Sequence, residues 1–149
     1  MLPTDWLALA RRLNALAQAG LTYTQSAYDL EADEILMVQE KIDGLRWTLP
    51  GGWADVGYTP FEVAAKEVHE ETGLTVRPVR LLAVFDKKKH PHPPQPWYVY
   101  KFFIRCEAVS GELADEIHDI GEVRWVHRTE LATLPLSTDR VTASQIETM

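Results

Sequence analysis

The sequence has little cysteine, no long apolar run and no excess of positive charge. A single cysteine among 149 residues excludes an internal disulfide framework, because each disulfide needs two. No apolar run approaches the roughly 18 residues that a membrane-spanning helix requires. The net charge of −7 and the isoelectric point near 5.2 argue against general affinity for nucleic acid or anionic membranes. Since the first residues also lack the features of a signal peptide, we expect a soluble cytoplasmic protein with no membrane or nucleic-acid partner.

Short apolar segments separated by turn signals follow one another along the chain. A length of 149 residues with 46% hydrophobic content suits one domain with a single core. Residues 4–20 predict an amphipathic helix, which either packs on the domain or forms a dimer contact. Residues 35–40, 76–85, 97–109 and 122–126 read as strands, and residues 129–134 and 137–148 as short helices. This mixture predicts an α+β fold.

The most informative stretch is residues 49–74, where a glycine-rich turn leads into a helix. Pro50, Gly51 and Gly52 cannot continue a regular element, because proline fixes φ and glycine permits positive φ. Thr59 is a suitable N-cap, and Gly73 a suitable residue for ending the helix. The predicted apolar stripe of this helix consists of Phe61, Ala64, Ala65 and Val68.

Three acids lie on a neighbouring face of the same helix. Glu67, Glu70 and Glu71 occur at spacings i, i+3 and i+4, where like charges repel by a few tenths of a kcal/mol per pair. A hard cation such as Mg²⁺ binds through carboxylate oxygens and would turn this repulsion into a binding site. The alternative is a solvated acidic face, which is the commoner role of such a cluster. The fixed offsets from the Gly-Gly turn and from Gly73 favour the metal site.

These residues resemble the Nudix box, which reads Gly, five residues, Glu, seven residues, then Arg-Glu-apolar-x-Glu-Glu-x-Gly-apolar. Aligned on Gly52, the chain supplies Lys-Glu-Val-His-Glu-Glu-Thr-Gly-Leu at residues 66–74. Tyr58 stands where the box has its first Glu, and Lys66 replaces the Arg. The resemblance implies an α/β/α sandwich with a mixed central sheet and an added N-terminal helix. It also implies an Mg²⁺ cofactor, with Mn²⁺ as an alternative, held by Gly52, Glu67, Glu70 and Glu71.

The first 31 residues are similar to the N-terminal extension of a Nudix subgroup whose members act on CDP-choline and ADP-ribose. The resemblance implies a helical extension at residues 1–31, a Nudix domain at residues 32–149 and a homodimer. In that subgroup, further helix and a first strand separate the extension from the strand that precedes the box. Here the strand at residues 35–40 follows Glu31 almost at once. We therefore expect either a shortened chain or an omitted stretch, which leaves the completeness of the sheet open.

Several other side chains are candidates for catalysis and substrate binding. The resemblance implies a general base either on the box helix, at Glu67 or Glu70, or near the last strand, at Asp119 or Glu122, with Glu116 as a nearby third choice. An acid in a polar loop is more often simply solvated. Histidines in a proline-rich loop and large aromatics could contact substrate, although such residues are often plain loop or core residues. The substrate candidates are Trp53, His90, His92 and Tyr98.

The implied function is metal-dependent hydrolysis of a nucleotide-type small molecule. The expected substrate is a nucleoside diphosphate linked to another moiety, of the CDP-choline or ADP-ribose type, which would yield a nucleoside monophosphate and a phosphorylated product. The departures at Tyr58 and Lys66 motivate an alternative. In that alternative, the chain is a catalytically weak Nudix domain that acts as a nucleotide sensor or interaction module.

Overall fold

The structure, a computed structural model, describes residues 33–94, 98–115 and 117–149 in full, and the backbone of residues 21–26. The predicted helix at residues 4–20, the start of the strand predicted from residue 97 and the candidate acid Glu116 lie outside these residues. The described strands and α-helices are β1 Leu21–Ser26, β2 Glu34–Glu40, β3 Arg46–Thr48, β4 Gly51–Trp53, α1 Pro60–Thr72, β5 Thr75–Asp86, β6 Tyr100–Ser110, β7 Ile120–His127 and α2 Ala143–Thr148. Two 3₁₀ helices, Lys87–Lys89 and Arg128–Thr133, complete these elements.

The strands form two sheets. The larger has the order β4-β1-β6-β5, and the smaller has the order β3-β2-β7. Strand β1 runs parallel to β6, whereas the other pairings are antiparallel, so the larger sheet is mixed. The α+β fold predicted from the sequence is confirmed. No helix in the described part of the chain has the length and hydropathy needed to cross a bilayer.

Two hydrophobic cores lie on opposite sides of the strands. In β2, Leu36 packs with α1 in one core, while its neighbours Ile35 and Met37 pack in the other. Successive side chains of a strand point to opposite faces, so a strand buried on both faces is apolar throughout its length. The second core contains Val141 and Ile146, and the apolar contacts predicted for these two residues are confirmed. Helical structure therefore covers both faces of the strand layer, as in a sandwich.

Strand β1 is a strand ahead of residues 35–40, where the sequence analysis found none. It pairs with the box strand β4, where Tyr23 lies opposite Gly51, and with β6, where Leu21 lies opposite Lys101. The helical extension that the resemblance implies at residues 1–31 therefore contains a strand at residues 21–26. The reason is local propensity, because the β-branched and aromatic residues of Leu-Thr-Tyr-Thr favour a strand.

Helix α1 begins and ends where predicted. Thr59 forms a capping box with Glu62, in which the Thr59 side chain accepts from the Glu62 backbone N–H and the Glu62 carboxylate accepts from the Thr59 N–H at 2.7 Å. Gly73 follows the helix with φ of 81°, a conformation that favours glycine. The predicted apolar stripe needs one correction, since Phe61 is exposed and Val63 is buried. The buried face is thus rotated towards the side of the helix that carries Glu67.

Strand β6 also differs from its prediction. We expected one buried face that carries Tyr98, Tyr100, Phe102, Ile104, Cys106 and Ala108. The middle of the strand is instead buried on both sides, and Lys101 and Phe103 on the other face are fully enclosed. Cys106 is buried as predicted, and burial raises the pKa of its thiol to about 12, so this thiol is unreactive at neutral pH.

Candidate functional site

At the two glycines of the turn before α1, the backbone of the turn comes close to two acids of the helix. The Gly51 N–H donates to Oε2 of Glu71 at 2.9 Å. A Cβ atom added at Gly52 would lie only 2.7 Å from Cδ of Glu67, so the Glu67 carboxylate occupies the space that any larger residue would fill. The Gly-Gly sequence therefore serves to bring the loop backbone against the acidic face of the helix.

Lys66 connects the acids of the helix to the preceding loop. Its Nζ lies 3.0 Å from Oε2 of Glu70, 3.4 Å from Oδ2 of Asp55 and 3.6 Å from Oε1 of Glu67. The hydrogen bond to Glu70 is the main reason that the pKa of Lys66 is raised. Tyr58, at the position of the first box Glu, is half exposed and carries no carboxylate. Asp55 instead supplies a loop carboxylate to the cation at position 66.

Burial makes the acidic cluster electrostatically unfavourable in the absence of a cation. The pKa of Glu71 is raised to about 8, chiefly by burial, and the Gly51 N–H only partly opposes this. The charges of Glu67 and Glu40 raise it further. Burial likewise raises the pKa of Glu67, although the charge of Lys66 opposes that shift. A cation at this position would stabilise the ionised carboxylates.

The donor set therefore fits a hard divalent cation. Carboxylate oxygens and a backbone carbonyl are the ligands that Mg²⁺ and Mn²⁺ prefer. In this conformation, no three His, Cys, Asp or Glu side chains of the described residues converge as a metal site. The contacts explain why, because Glu71 is turned to the Gly51 N–H and Lys66 contacts both Glu67 and Glu70. To hold an ion, these carboxylates would exchange their present partners for it.

The two later candidate bases, Asp119 and Glu122, lie near the start of β7. The Asp119 side chain is 86% exposed and is hydrogen-bonded to Nδ1 of His118 at 2.8 Å. Glu122 is also exposed, with Oε1 3.8 Å from Nε of Arg124. Among the contacts of the described residues, neither acid reaches the acids of α1. A role for either in catalysis stays a prediction.

Three of the four substrate candidates have accessible or partly accessible rings. Trp53, at the end of β4, is exposed. Tyr98 is 62% exposed, and Nζ of Lys88 lies 3.4 Å from the centre of its ring. His90 packs edge-on against Phe85, with ring centres 4.6 Å apart. Their roles in binding stay predictions.

The fourth candidate, His92, belongs to an internal network. Its Nδ1 lies 2.6 Å from the Thr138 carbonyl oxygen, which can only accept, so Nδ1 carries the proton. Its Nε2 accepts from Nζ of Lys101 at 3.3 Å and from Nε2 of Gln145 at 3.1 Å. Burial and the neighbouring charge of Lys101 lower the pKa of His92 to about 4. Since both ring nitrogens are occupied, a direct hydrogen bond to substrate would have to replace one of these contacts.

The sequence analysis missed the other charged members of this region. Nζ of Lys101, a fully buried residue, donates to the carbonyl oxygens of Asp139 and Arg140. The Arg140 guanidinium binds the buried carboxylate of Glu40 through two contacts, Nη2–Oε1 at 3.1 Å and Nε–Oε2 at 3.2 Å. The signal available for Lys101 was a lysine within the apolar run Tyr-Val-Tyr-Lys-Phe-Phe-Ile. The contact between Glu40 and Arg140 spans 100 residues and has no local signal.

Comparison with known families gives two matches. A family model described as the NUDIX domain matches residues 22–146. A second model, described as a UDP-X-like, N-terminal oligomerisation domain, matches residues 4–36. The Bacillus subtilis (strain 168) protein named "Putative ADP-ribose pyrophosphatase YjhB" is 35% identical over an alignment 156 residues long, and the alignment covers 73% of this chain and 74% of the relative. Because that alignment is longer than the 149 residues of this chain, the relative carries residues without a counterpart here.

Solved structures give the same picture. The crystal structure of a UDP-X diphosphatase superposes with a TM-score of 0.76 at 29% identity and covers 99% of this chain and 70% of that one. The structure of an ADP-ribose pyrophosphatase from Streptococcus suis 89-1591 superposes with a TM-score of 0.74 at 32% identity and covers 88% of each chain. Both similarities extend well beyond the helix that carries the acids.

Proposed function

This chain belongs to the NUDIX family and is a Nudix hydrolase, and from that premise we propose that it is a divalent-metal-dependent pyrophosphohydrolase. Its proposed substrate is a nucleoside diphosphate linked to a second moiety, which is split into a nucleoside monophosphate and a phosphorylated product. The observation that carries the proposal is the placement of Glu67 and Glu71 of α1 against the Gly51–Gly52 turn, with Glu70 next to them on the same helix. The names of the similar proteins, an ADP-ribose pyrophosphatase and a UDP-X diphosphatase, support this substrate class. CDP-choline as a substrate rests on the resemblance of the sequence alone.

The residues of α1 and the preceding turn would hold the metal. We assign this role to Glu67, Glu70, Glu71 and the Gly52 carbonyl, with Mg²⁺ as the physiological ion and Mn²⁺ as a substitute. When bound, such an ion neutralises phosphate charge and lowers the pKa of a coordinated water. In the present conformation, the Gly51–Glu71 hydrogen bond joins the turn to the helix.

Glu67 is the acid that we propose as general base. Its side chain is only 14% exposed and packs on the Gly52 backbone, so it is held in place more firmly than Glu70, which is largely exposed. A positioned carboxylate can accept the proton of the attacking water. Lys66 lies 3.6 Å from Glu67 and helps to orient it. Asp119 and Glu122 are the second choice, because both are exposed and contact neighbours within their own segment.

Aromatic side chains near the two loops are proposed to contact the nucleoside. Trp53 and Tyr98 expose ring faces on which a base or sugar could pack. His90 is proposed to contact phosphate or base from the loop that follows β5. His92 would act from its present position by holding this loop in place.

A homodimer is also part of the proposal. The match of residues 4–36 to an oligomerisation domain supports association through the extension, which we place at residues 1–31, ahead of a Nudix domain at residues 32–149. The cytoplasmic location expected from the sequence belongs to the proposal as well. Light scattering of the purified chain should give twice the monomer mass of 16.9 kDa. A monomeric mass across the working range of concentrations would contradict the dimer.

The hydrolase proposal is tested by release of nucleoside monophosphate from a panel of compounds. The panel contains ADP-ribose, UDP-linked sugars, CDP-choline, dinucleoside polyphosphates and nucleoside triphosphates, each with Mg²⁺, with Mn²⁺ and with a chelator. We expect metal-dependent release from one of the diphosphate-linked compounds, and its loss in Glu70→Gln and Glu71→Gln variants that keep the native circular dichroism spectrum. If no compound is cleaved although the protein still binds metal, the chain acts as a nucleotide-binding module and the proposal is wrong.

A further inference from the structure

Two loops bring three basic side chains together. One is the loop after β5, which begins with Lys87, and the other is the segment of residues 137–142 before α2. Lys101 projects from β6 between them, and Arg140 belongs to the second loop. We refer to Lys87, Lys101 and Arg140 as the basic cluster. The proximity of the three charges shows in their pKa values, since Arg140 lowers the pKa of both lysines and Lys87 lowers that of Lys101.

The two loops are fastened to one another. Lys101 binds the carbonyl oxygens of Asp139 and Arg140, and His92 binds the carbonyl oxygen of Thr138. Gln145, on α2, reaches the same histidine. The backbone that carries the basic cluster is therefore held from both sides, so the positions of its charges are set before any ligand binds.

Lys87 differs from the other two members in its partners. Its side chain is only 9% exposed, yet the acid recorded nearest to its Nζ among the described residues is Oδ1 of Asp139, at 4.0 Å. That distance is too long for a hydrogen bond, and the Asp139 carboxylate is itself half exposed. Burial lowers the pKa of Lys87, and Arg140 adds to the effect. A buried ammonium without a close acid is stabilised when an anion binds beside it.

The basic cluster lies close to the turn that precedes α1. Arg140 pairs with Glu40, and the segment before Arg140 is joined to β3, the strand that leads into the Gly51–Gly52 turn. The Trp47 N–H donates to the Pro135 carbonyl oxygen at 2.9 Å, and the Ser137 N–H donates to the Trp47 carbonyl oxygen at 2.8 Å. The register of the larger sheet gives a second measure. Trp53 of β4, Leu21 of β1 and Lys101 of β6 form one row across adjacent strands. With about 4.8 Å between strands, the backbone at Lys101 is about 10 Å from that at Trp53.

We propose that Lys87, supported by Arg140, forms a phosphate-binding subsite next to the proposed metal ligands. The ligand class is the diphosphate of the nucleotide substrate, and the subsite takes phosphate oxygens that the metal does not hold. An acidic protein with net charge −7 needs such a local positive site to bind a polyanion away from the metal. The inference rests on the proposed function, because it assumes a substrate that contains a diphosphate.

The test measures binding of inorganic pyrophosphate to the full chain in the presence of a chelator, by titration calorimetry. Without metal or turnover, the measurement reports the subsite and not the reaction. Loss of one charge-assisted hydrogen bond should weaken binding at least about tenfold in Lys87→Met, and Lys87→Arg should retain most of the affinity. Lys89→Met is the matched control, because Lys89 is an exposed lysine of the same 3₁₀ helix, and it should bind as the unmodified protein does.

Lys87→Gln provides a second variant if the methionine variant does not fold. With any substrate identified by the panel, Lys87→Met should raise KM about as much as it weakens pyrophosphate binding, with a smaller change in kcat. The proposal is overturned if the unmodified protein does not bind pyrophosphate without metal, or if Lys87→Met binds as tightly as the unmodified protein. Equal losses in Lys87→Met and Lys89→Met would also overturn it, since the effect would then be diffuse charge. A silent panel combined with a selective loss in Lys87→Met would refute only the proposed reaction.

Discussion

The acidic face of α1 and the basic cluster carry opposite charges and are built in opposite ways. The acids lie within two turns of one helix, and their spacing follows from the helical repeat. The members of the basic cluster come from three separate segments, and contacts such as Lys101–Asp139 and Glu40–Arg140 join residues 38 and 100 positions apart. The helix places its acids partly in solvent, whereas Lys101 is fully buried and held by backbone carbonyls. The acids are thus placed by a local helical motif, whereas the basic side chains are placed by contacts between distant parts of the chain.

The largest effect that we predict is on catalysis at the acidic face. Glu67→Gln should lower kcat by about 10³-fold, because positioned general-base catalysis contributes about 10²–10⁴-fold. The measurement is steady-state kinetics on the substrate identified by the panel. Glu62→Gln on the same helix is the control, since glutamine still accepts the hydrogen bond from the N-cap. Equal activity in the two variants would show that the base lies elsewhere, with Asp119 and Glu122 as the next variants to test.

The second prediction concerns stability at the buried ion pair. Arg140→Met should lower the free energy of unfolding by about 3 kcal/mol, because it leaves the Glu40 carboxylate buried without its cationic partner. Burial already raises the pKa of Glu40, and Arg140 is the main group that opposes this shift. Urea denaturation of Arg140→Met, of Glu40→Gln and of the double variant Glu40→Gln/Arg140→Met measures the effect. The double variant should recover part of the loss, and additive losses would contradict a direct pairing.

The third prediction is a pH dependence that originates in Lys101. Burial, together with the charges of Lys87 and Arg140, lowers its pKa from 10.5 to about 6, and Asp139 opposes the shift. Between these two values the unfolded chain binds the proton more tightly than the folded one does, so the contribution of Lys101 to stability rises with pH from about 6 towards 10.5. The difference in unfolding free energy between the unmodified protein and Lys101→Met should therefore change in this direction across that window.

Lys89→Met is the reference for this pH series, because an exposed lysine should not alter the slope. His92 also has a lowered pKa and contacts Lys101, but its contribution changes between about pH 4 and 6.5, so the series is read above pH 6.5, where only the lysine contributes. Parallel curves for the unmodified protein and Lys101→Met would show that Lys101 is not responsible.

The smallest effect is expected at the loop acid Asp55. Its contact with Lys66 joins two partly exposed side chains, and such pairs contribute about 0–1 kcal/mol. Asp55→Asn should therefore leave stability almost unchanged in thermal unfolding. Its effect should appear in kcat as a modest decrease, because Lys66 would then be shared between Glu67 and Glu70 only. A loss as large as that of Glu67→Gln would give Asp55 a direct catalytic role.

The sequence correctly predicted the elements whose limits are set by residues adjacent in the chain. The limits of α1 followed from Thr59 and Gly73, and the turn before the helix followed from two consecutive glycines. The prediction that Phe61 lies on the buried face was wrong, because the spacing of apolar residues alone does not show how the helix is rotated on its sheet. In this fold the rotation buries Val63 and brings Glu67 against Gly52.

Contacts between residues far apart in the sequence could not be predicted from neighbouring residues. Lys101 occupies a position that alternation within a strand assigns to a polar face, and only the two loops packed over it make that face an interior. His92 was predicted to contact substrate because histidines in loops often do so, whereas its nitrogens contact Thr138, Lys101 and Gln145. The strand at residues 21–26 was missed although Leu-Thr-Tyr-Thr favours a strand, because that favourable run is only four residues long.

The position of β1 in the larger sheet affects how the chain can fold. Strand β1 is the first described strand in the chain, yet it is flanked by β4 and β6, and its parallel partner begins at Tyr100. Contacts of such high sequence separation slow folding, because a long loop must be closed before they form. During synthesis, one edge of β1 stays without its partner until β6 has left the ribosome. An unpaired strand edge favours association with other chains, so the nascent protein depends on being kept apart from its neighbours until β6 is available.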